Sequence, residues 1–193
     1  AGHLFAGLDR VDSVTLDAHK WLYLPKACGV LLVRRHDDLF QAFSHEEAYI
    51  PHERTGHMVD ITLEYSRPFR ALKLWFVLRN YGAVKIREMI AAHLALAADF
   101  AGWVDADPAW ERLAEVPLNT VCFRYKPAGK SDEEELAAIN QAILDRVNAE
   151  GVIYLTHTRL DDVFTLRLAV GQTRTEAKHV AEAWLVLQKA AAG

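Results

Sequence analysis

The spacing of hydrophobic positions changes along the chain, and each change marks a predicted boundary between elements. Short aliphatic and β-branched runs alternate with turn signals before residue 37, whereas helical spacing dominates from Pro68 to Trp103. The first half is therefore expected to contain strands over 11–16 and 29–34, a short helix over 37–43, a polar loop over 44–56, a helix that begins after Pro68 and stops at Gly82, and a helix over 83–103.

After Trp103 the segments become shorter and follow the order of a compact α+β domain. They predict strands over 120–125, 152–156 and 163–170, a helix over 131–149 with Ser131 as its N-cap, and a helix over 175–189. We therefore expect a boundary near residue 103, with an α/β portion over 1–102 and a small α+β domain over 103–193.

Composition and charge exclude several classes of partner. The chain has 193 residues, 51% hydrophobic, and its 22 Lys and Arg against 26 Asp and Glu give a net charge of -4, so nucleic acid is not an expected partner. Charged residues interrupt the apolar runs before the ~20 residues of a membrane helix, which favours a cytoplasmic location. Cys28 and Cys122 lie far apart, so neither a disulfide framework nor a paired-cysteine zinc site is expected.

Metal and serine chemistry find no support in the motifs. His52 and His57 are five residues apart, whereas the zinc-binding H-E-x-x-H helix needs a separation of four. The chain contains neither G-x-S-x-G nor a glycine-rich nucleotide fingerprint. We therefore expect no metal site.

One lysine stands out for its surroundings. Lys20 follows His19 at the end of a predicted strand, and Trp21, Leu22 and Leu24 are expected to form an apolar wall beside it. A lysine with an ordinary pKa near ~10.4 needs burial or nearby positive charge to act as a nucleophile toward a cofactor aldehyde. The residues alone leave open the alternative of a surface lysine whose stem packs on the tryptophan.

The segment DSVTLDAHKWL at 12–22 resembles the cofactor-lysine segment of the pyridoxal-phosphate-dependent group II amino-acid decarboxylases, a family that includes aromatic amino-acid, histidine and glutamate decarboxylases. Five further segments follow in the order of the aromatic group: GVLLVRR, AFSHEEAY, SRPFRALKLWFVLRNYG, VCFRY and FTLRLAVGQTRT. The resemblance covers essentially the whole chain. It implies an α/β protein, the C-terminal part of a type I pyridoxal-phosphate transferase fold, followed by a small α+β domain.

The resemblance assigns cofactor roles to three neighbouring residues. Lys20 corresponds to the lysine that bonds to pyridoxal 5'-phosphate, and His19 to the residue that contacts the cofactor phosphate. Asp17 stands where many relatives carry asparagine beside that phosphate. A carboxylate there would repel the phosphate, so we expect that only the Asp17 backbone takes part or that its side chain turns away.

Three further residues receive substrate-side roles. Tyr49 corresponds to the family's loop tyrosine, which returns a proton to the α-carbon after carbon dioxide leaves, and a tyrosine here favours simple decarboxylation over aldehyde formation. His52 is a second loop candidate, and Ser66 falls near the pocket for the substrate side chain.

The resemblance therefore implies a homodimeric carboxy-lyase of amino-acid metabolism, which converts an L-amino acid, with an aromatic one favoured, to an amine and carbon dioxide. Other cofactor contacts of the family lie upstream of the matching segments. We accordingly expect residues 1–102 to be the end of a cofactor domain truncated at its N-terminus, and the isolated chain to be inactive. Two alternatives stay open: another type I pyridoxal-phosphate enzyme, such as a transaminase or carbon–sulfur lyase, or a non-catalytic dimerisation or folding segment.

Overall fold

The computed structural model describes residues 2–45 and 57–193, which divide into two compact units, 2–82 and 83–193. The division falls at Gly82, whose φ of 73° and ψ of 159° interrupt the long helix Arg70–Ala106. Glycine adopts positive φ without the steric penalty of a side chain, so Gly82 ends one helical segment and permits the next. Residue 103, where we expect the cofactor domain to end, lies inside the second unit. The division into a cofactor domain over 1–102 and a small domain over 103–193 stays a prediction.

The first unit contains a two-stranded antiparallel hairpin. Strands β1 (Ser13–Asp17) and β2 (Gly29–Val33) pair in a register that runs from Ser13↔Val33 to Asp17↔Gly29. Both predicted strands are confirmed, with ends shifted by one or two residues. The sequence predicts an irregular connection at Lys20, whereas the structure has a one-turn helix there. The remaining helices of this unit are Gly2–Phe5, Leu8–Arg10, α1 (Ala18–Trp21), α2 (His36–Phe43), Met58–Ile61 and the first part of α3 (Arg70–Ala106).

A small apolar cluster holds the connection between β1 and β2 in place. Ala18, Leu24 and Cys28 are buried, and Leu74 and Val77 of helix α3 pack against them. Because Ala18 opens helix α1, its burial fixes which face of that turn is directed inward. The segment that carries His19 and Lys20 is therefore anchored on both sides of the hairpin connection.

The second unit packs helices on a four-stranded antiparallel sheet of order β3-β4-β6-β5. Its elements after helix α3 are β3 (Trp110–Arg112), β4 (Thr120–Tyr125), α4 (Glu133–Glu150), β5 (Thr156–Leu160), β6 (Val163–Ala169) and α5 (Ala177–Ala192). Phe100 of helix α3 lies at the centre of the core, with its ring 5.2 Å from that of Phe123 and 5.6 Å from that of Trp184, both edge to face.

Two expectations for the second unit are wrong. The predicted strand over 152–156 begins instead at Thr156, because the Leu155 main chain bonds to the Asn148 side chain: the N–H donates to Oδ1 (2.8 Å) and the C=O accepts from Nδ2 (3.1 Å). The N-cap of helix α4 is Asp132 rather than Ser131, since Asp132 Oδ1 accepts from the Glu135 N–H at 2.8 Å. Strand β3 was not predicted at all.

Helix α3 is the one helix in the described part of the chain that is long and apolar enough to cross a membrane, with a mean hydropathy of 1.2 over its most apolar 18 residues. Its second part buries Ala97, Phe100 and Val104 in the core of the second unit. The core helix of a soluble protein can be equally long and apolar, so length and composition are weak evidence for a membrane span.

Candidate functional site

The turn after strand β1 fixes the position of the lysine segment. The Leu24 N–H donates to the Ala18 C=O at 3.2 Å, and the Tyr23 N–H donates to the Lys20 C=O at 3.4 Å. Tyr23 has a φ of 60°, which reverses the chain after the single turn of helix α1. Ala18 and Leu24 thus form the buried side of a compact turn, with His19 and Lys20 between them.

Lys20 forms an ion pair with Asp17 on the surface of the first unit. Lys20 Nζ lies 2.5 Å from Asp17 Oδ2, and the two side chains are 71% and 42% exposed. The hydrogen bond from the Lys20 ammonium lowers the pKa of Asp17 below its usual value. Of the expected apolar wall beside Lys20, Leu24 is instead buried beneath the turn with Ala18, while the amine faces a carboxylate.

His19 is attached to the far end of the hairpin connection through Cys28. The Cys28 N–H donates to His19 Nδ1 at 3.1 Å, the His19 N–H donates to the Cys28 C=O at 3.4 Å, and Nδ1 lies 3.2 Å from that same carbonyl oxygen. Cys28 is only 2% exposed. The orientation of the imidazole is therefore set by main-chain groups nine residues away.

Helix α3 holds the segment before Cys28 from the other side. Lys73 Nζ donates to the Lys26 C=O at 2.9 Å and to the Pro25 C=O at 3.4 Å. The Cys28 thiol lies 3.9 Å from the Arg70 C=O, one turn earlier on the same helix. Sequence reasoning missed the part played by both side chains: it considered Cys28 only for a disulfide or a zinc site and assigned no role to Lys73.

Ser66 lies exposed in the segment that leads into helix α3, apart from the lysine turn in sequence. Two contacts order this segment: Arg67 Nη1 donates to Thr62 Oγ1 at 2.8 Å, and Arg70 Nη1 pairs with Glu64 Oε2 at 3.0 Å. The structure therefore brings Asp17, His19 and Lys20 together and places Ser66 in a separate segment of the same unit. The predicted loop residues Tyr49 and His52 lie outside the described residues.

The lysine turn offers the two groups that an anionic aldehyde cofactor requires. The Lys20 amine is accessible for covalent bonding, although it lacks the burial expected of an activated lysine. Its ion pair with Asp17 is an exposed one, which contributes little to stability and is readily exchanged. His19 accepts a hydrogen bond at Nδ1, which leaves Nε2 to donate to an anion. The residues present therefore fit a cofactor that carries an aldehyde and a phosphate.

Comparison with known proteins identifies the class to which this arrangement belongs. The model of the pyridoxal-dependent decarboxylase conserved domain matches residues 1–126, which include the lysine turn and the hairpin. The chain belongs to the pyridoxal-dependent decarboxylase family.

Plant decarboxylases of aromatic amino acids are among the similar sequences. The chain is 40% identical over 190 residues to tyrosine decarboxylase 4 of Petroselinum crispum, covering 94% of this chain and 37% of that protein. It is 36% identical over 194 residues to tryptophan decarboxylase TDC1 of Camptotheca acuminata, covering 98% of this chain and 39% of that protein.

Solved structures agree with these sequence similarities. The crystal structure of Oryza sativa TDC with PLP and tryptamine superposes with a TM-score of 0.91 at 32% identity, covering 98% of this chain and 40% of that one. Rhodiola rosea 4-hydroxyphenylacetaldehyde synthase gives a TM-score of 0.84 at 29% identity, covering 98% of this chain and 39% of that one. The chain therefore spans about two fifths of the length of these relatives, and its fold is that of this part of their structures.

Proposed function

We propose that the protein carrying this chain decarboxylates an aromatic L-amino acid, releasing an amine and carbon dioxide, with pyridoxal 5'-phosphate as cofactor. The observation that carries the proposal is the lysine turn, in which an accessible Lys20 amine adjoins a His19 ring whose Nδ1 is already occupied by the Cys28 N–H. The family match over residues 1–126 and the aromatic substrates named for the similar enzymes support the same assignment.

Each residue of the turn has a defined task in this proposal. Pyridoxal 5'-phosphate, when bound, supplies an aldehyde that bonds to an amine and a ring that withdraws electrons from the carbon that loses carbon dioxide. Lys20 holds the cofactor between turnovers through Nζ, after exchanging its contact with Asp17. His19 donates from Nε2 to the phosphate.

Asp17 is the one member of the turn whose charge opposes phosphate binding. Its carboxylate faces the Lys20 amine, as an acidic side chain turned away from the phosphate would. With Lys20 bonded to a cofactor, Asp17 would lose that cation and would be disfavoured beside a phosphate of like charge. We therefore assign Asp17 to the surroundings of the cofactor rather than to direct phosphate contact.

The substrate-side roles extend the proposal to residues outside the turn. Tyr49 Oη holds the proton that is delivered to the α-carbon, His52 assists in the same loop, and Ser66 contributes a hydroxyl to the pocket for the substrate side chain. We propose that the active protein is a homodimer of amino-acid metabolism, as the family resemblance implies, and that it is cytoplasmic, as the interrupted apolar runs favour. The exposed apolar side chains of the first unit, Phe69, Trp75 and Phe76 among them, support an assembly that covers them.

The test is covalent mapping combined with product analysis. We expect the natural full-length protein, given pyridoxal 5'-phosphate and either L-tyrosine or L-tryptophan, to release carbon dioxide and the corresponding amine in equal amounts. Borohydride reduction in the absence of substrate should fix the cofactor on the peptide that contains Lys20. Lys20→Arg keeps a cation for Asp17 but cannot form the bond, so it should lose both the label and the amine product.

Lys26→Ala is the matched control, because Lys26 lies in the same connection and only its main-chain carbonyl makes a described contact. It should keep both label and product. A label on another lysine would overturn the role of Lys20. An aldehyde product would overturn simple decarboxylation in favour of the chemistry named for the similar Rhodiola rosea synthase, and amino-group transfer without carbon dioxide would place the protein among the transaminases.

A further inference from the structure

The hydrogen bonds around His19 select one tautomer of its ring. Nδ1 lies 3.1 Å from the Cys28 nitrogen and 3.2 Å from the Cys28 carbonyl oxygen. If Nδ1 accepts from the Cys28 N–H, that carbonyl still accepts from the His19 N–H, and all these groups have partners. If Nδ1 carried the proton instead, the buried Cys28 N–H would lose its acceptor, which is costly for a main-chain donor. The neutral ring therefore carries its proton on Nε2.

This selection depends on where Cys28 is held, and the sheet does not hold it. The ladder between β1 and β2 ends at Asp17↔Gly29, one residue short of Cys28. Cys28 itself is held by its buried side chain and by the His19 N–H on its carbonyl. The residues before it are held from helix α3, by the Lys73 ammonium on two consecutive carbonyls, Pro25 and Lys26. An ammonium that donates to neutral carbonyls makes charge-assisted hydrogen bonds, which are stronger than those between neutral groups.

We propose that Lys73 is a positioning residue that acts through Cys28 on His19. By holding the 25–28 segment, Lys73 places the Cys28 N–H on Nδ1 and so keeps the imidazole in the tautomer whose donor is Nε2. That the anion bound by Nε2 is the cofactor phosphate rests on the proposed function. The coupling of Lys73 to the His19 tautomer is independent of the proposed function, because it involves only contacts within the chain.

The proposal predicts that Lys73 affects recognition of the cofactor phosphate and not the covalent bond between Lys20 and the aldehyde. A ring that alternates between tautomers presents its Nε2 donor only part of the time, which weakens a hydrogen bond to phosphate. The Lys20 amine is attached to a different part of the turn and keeps its access to an aldehyde. Loss of Lys73 should therefore weaken the binding of pyridoxal 5'-phosphate more than that of pyridoxal, which lacks the phosphate.

The test compares three variants of the natural full-length protein. Lys73→Met keeps the apolar stem without its donors, Lys73→Arg restores donors, and Lys85→Met removes an exposed lysine that pairs only with Glu88 in the described contacts of the same helix. Two readouts are independent of activity: the His19 tautomer from long-range ¹H–¹⁵N correlations above pH 8, and hydrogen exchange of the Cys28 amide. The third readout is the affinity ratio of pyridoxal 5'-phosphate to pyridoxal.

In the unsubstituted protein, His19 Nδ1 should show the shift of an unprotonated nitrogen and Nε2 that of a protonated one. Lys73→Met should raise the population of the other tautomer, speed Cys28 exchange and reduce the affinity ratio, each by about two- to tenfold, the range of one hydrogen bond. Lys73→Arg should restore all three quantities, and Lys85→Met should leave them unchanged.

A proton on Nδ1 in the unsubstituted protein would overturn the proposal. So would a Lys73→Met variant with unchanged Cys28 exchange, or an equal effect of Lys85→Met. If Lys73→Met does not fold, Lys73→Leu, which also lacks a donor, takes its place under the same criteria. If Lys73→Met changes the His19 tautomer but the protein has no decarboxylase activity, the proposed function is wrong and the positioning role of Lys73 stands.

Discussion

Asn140 shows how one buried side chain completes the edge of a strand. It is fully buried, and its Oδ1 accepts from the Tyr125 N–H at 2.7 Å while its Nδ2 donates to the Tyr125 C=O at 2.8 Å and the Leu136 C=O at 2.9 Å. Pairing of β4 with β6 reaches only as far as Phe123↔Leu166. Tyr125 still pairs with Trp110 of strand β3, and Asn140 supplies on its other side the hydrogen bonds that strand β6 no longer provides.

We expect Asn140→Leu to destabilise the second unit by about 2–4 kcal/mol. The substitution keeps the number and branching of the side-chain heavy atoms but leaves the Tyr125 N–H and C=O without partners, and each such buried group costs about 1–3 kcal/mol. Urea unfolding followed by circular dichroism measures the change.

Gln141→Leu is the matched control for this substitution, because Gln141 makes one exposed side-chain contact, with Asp145. Its effect should stay within about 0.5 kcal/mol. Equal midpoints for the two variants would show that Asn140 does not complete the strand.

The same dependence on main-chain partners limited what the sequence revealed of the site. Lys20 and His19 were identified because they are adjacent and carry the motif. Lys73 and Cys28 were missed, because their roles arise from contacts that no local pattern records: Lys73 reaches a carbonyl 47 residues away. Residue type and spacing can indicate a nucleophile, but they do not show which distant groups orient its neighbour.

At the scale of elements, the prediction of strands failed where a side chain, rather than a neighbouring strand, forms hydrogen bonds with the main chain. Strand Thr120–Tyr125 was predicted with its observed bounds. The run over 152–156 is equally apolar, yet Tyr154 is 79% exposed and Leu155 is bonded to Asn148. Hydrophobicity alone therefore could not separate a strand from the loop that closes a helix end.

Two glycines of the second unit should respond in opposite ways to the same substitution. Gly151 ends helix α4 with a φ of 74°, in the left-handed region, whereas Gly102 lies within helix α3 with open space around the position of a Cβ. Gly151→Ala should destabilise by about 1 kcal/mol, because alanine is strained at positive φ. Gly102→Ala should stabilise by about 0.5–1 kcal/mol through lower chain entropy and higher helix propensity.

Thermal unfolding of the two glycine variants beside the unsubstituted chain measures both signs in one experiment. A raised midpoint for Gly151→Ala would contradict the left-handed helix end, and a lowered midpoint for Gly102→Ala would contradict the open space at that position. The comparison needs no further control, since the chemical change is identical and only the backbone conformation differs.

At the scale of the whole molecule, the two compact units differ in how much apolar surface they bury. The second unit has a large core that includes Phe100, Phe123, Leu166 and Leu187. In the described part of the first unit, the buried apolar cluster consists of Ala18, Leu24 and Cys28. Each large side chain that is fully buried contributes about 1.5–3 kcal/mol. The second unit should therefore be the more stable of the two.

We expect the chain to unfold in two steps, with residues 2–82 opening at lower urea concentration than residues 83–193. Amide hydrogen exchange should show slow protons in β4, β6 and α5 and faster ones in β1 and β2. A second check is the isolated segment 83–193, which should give a dispersed NMR spectrum and one cooperative transition, because its core residues all lie within it. A single transition with equal protection in both units would contradict this prediction. It would mean that the hairpin and the lysine turn unfold only together with the second unit.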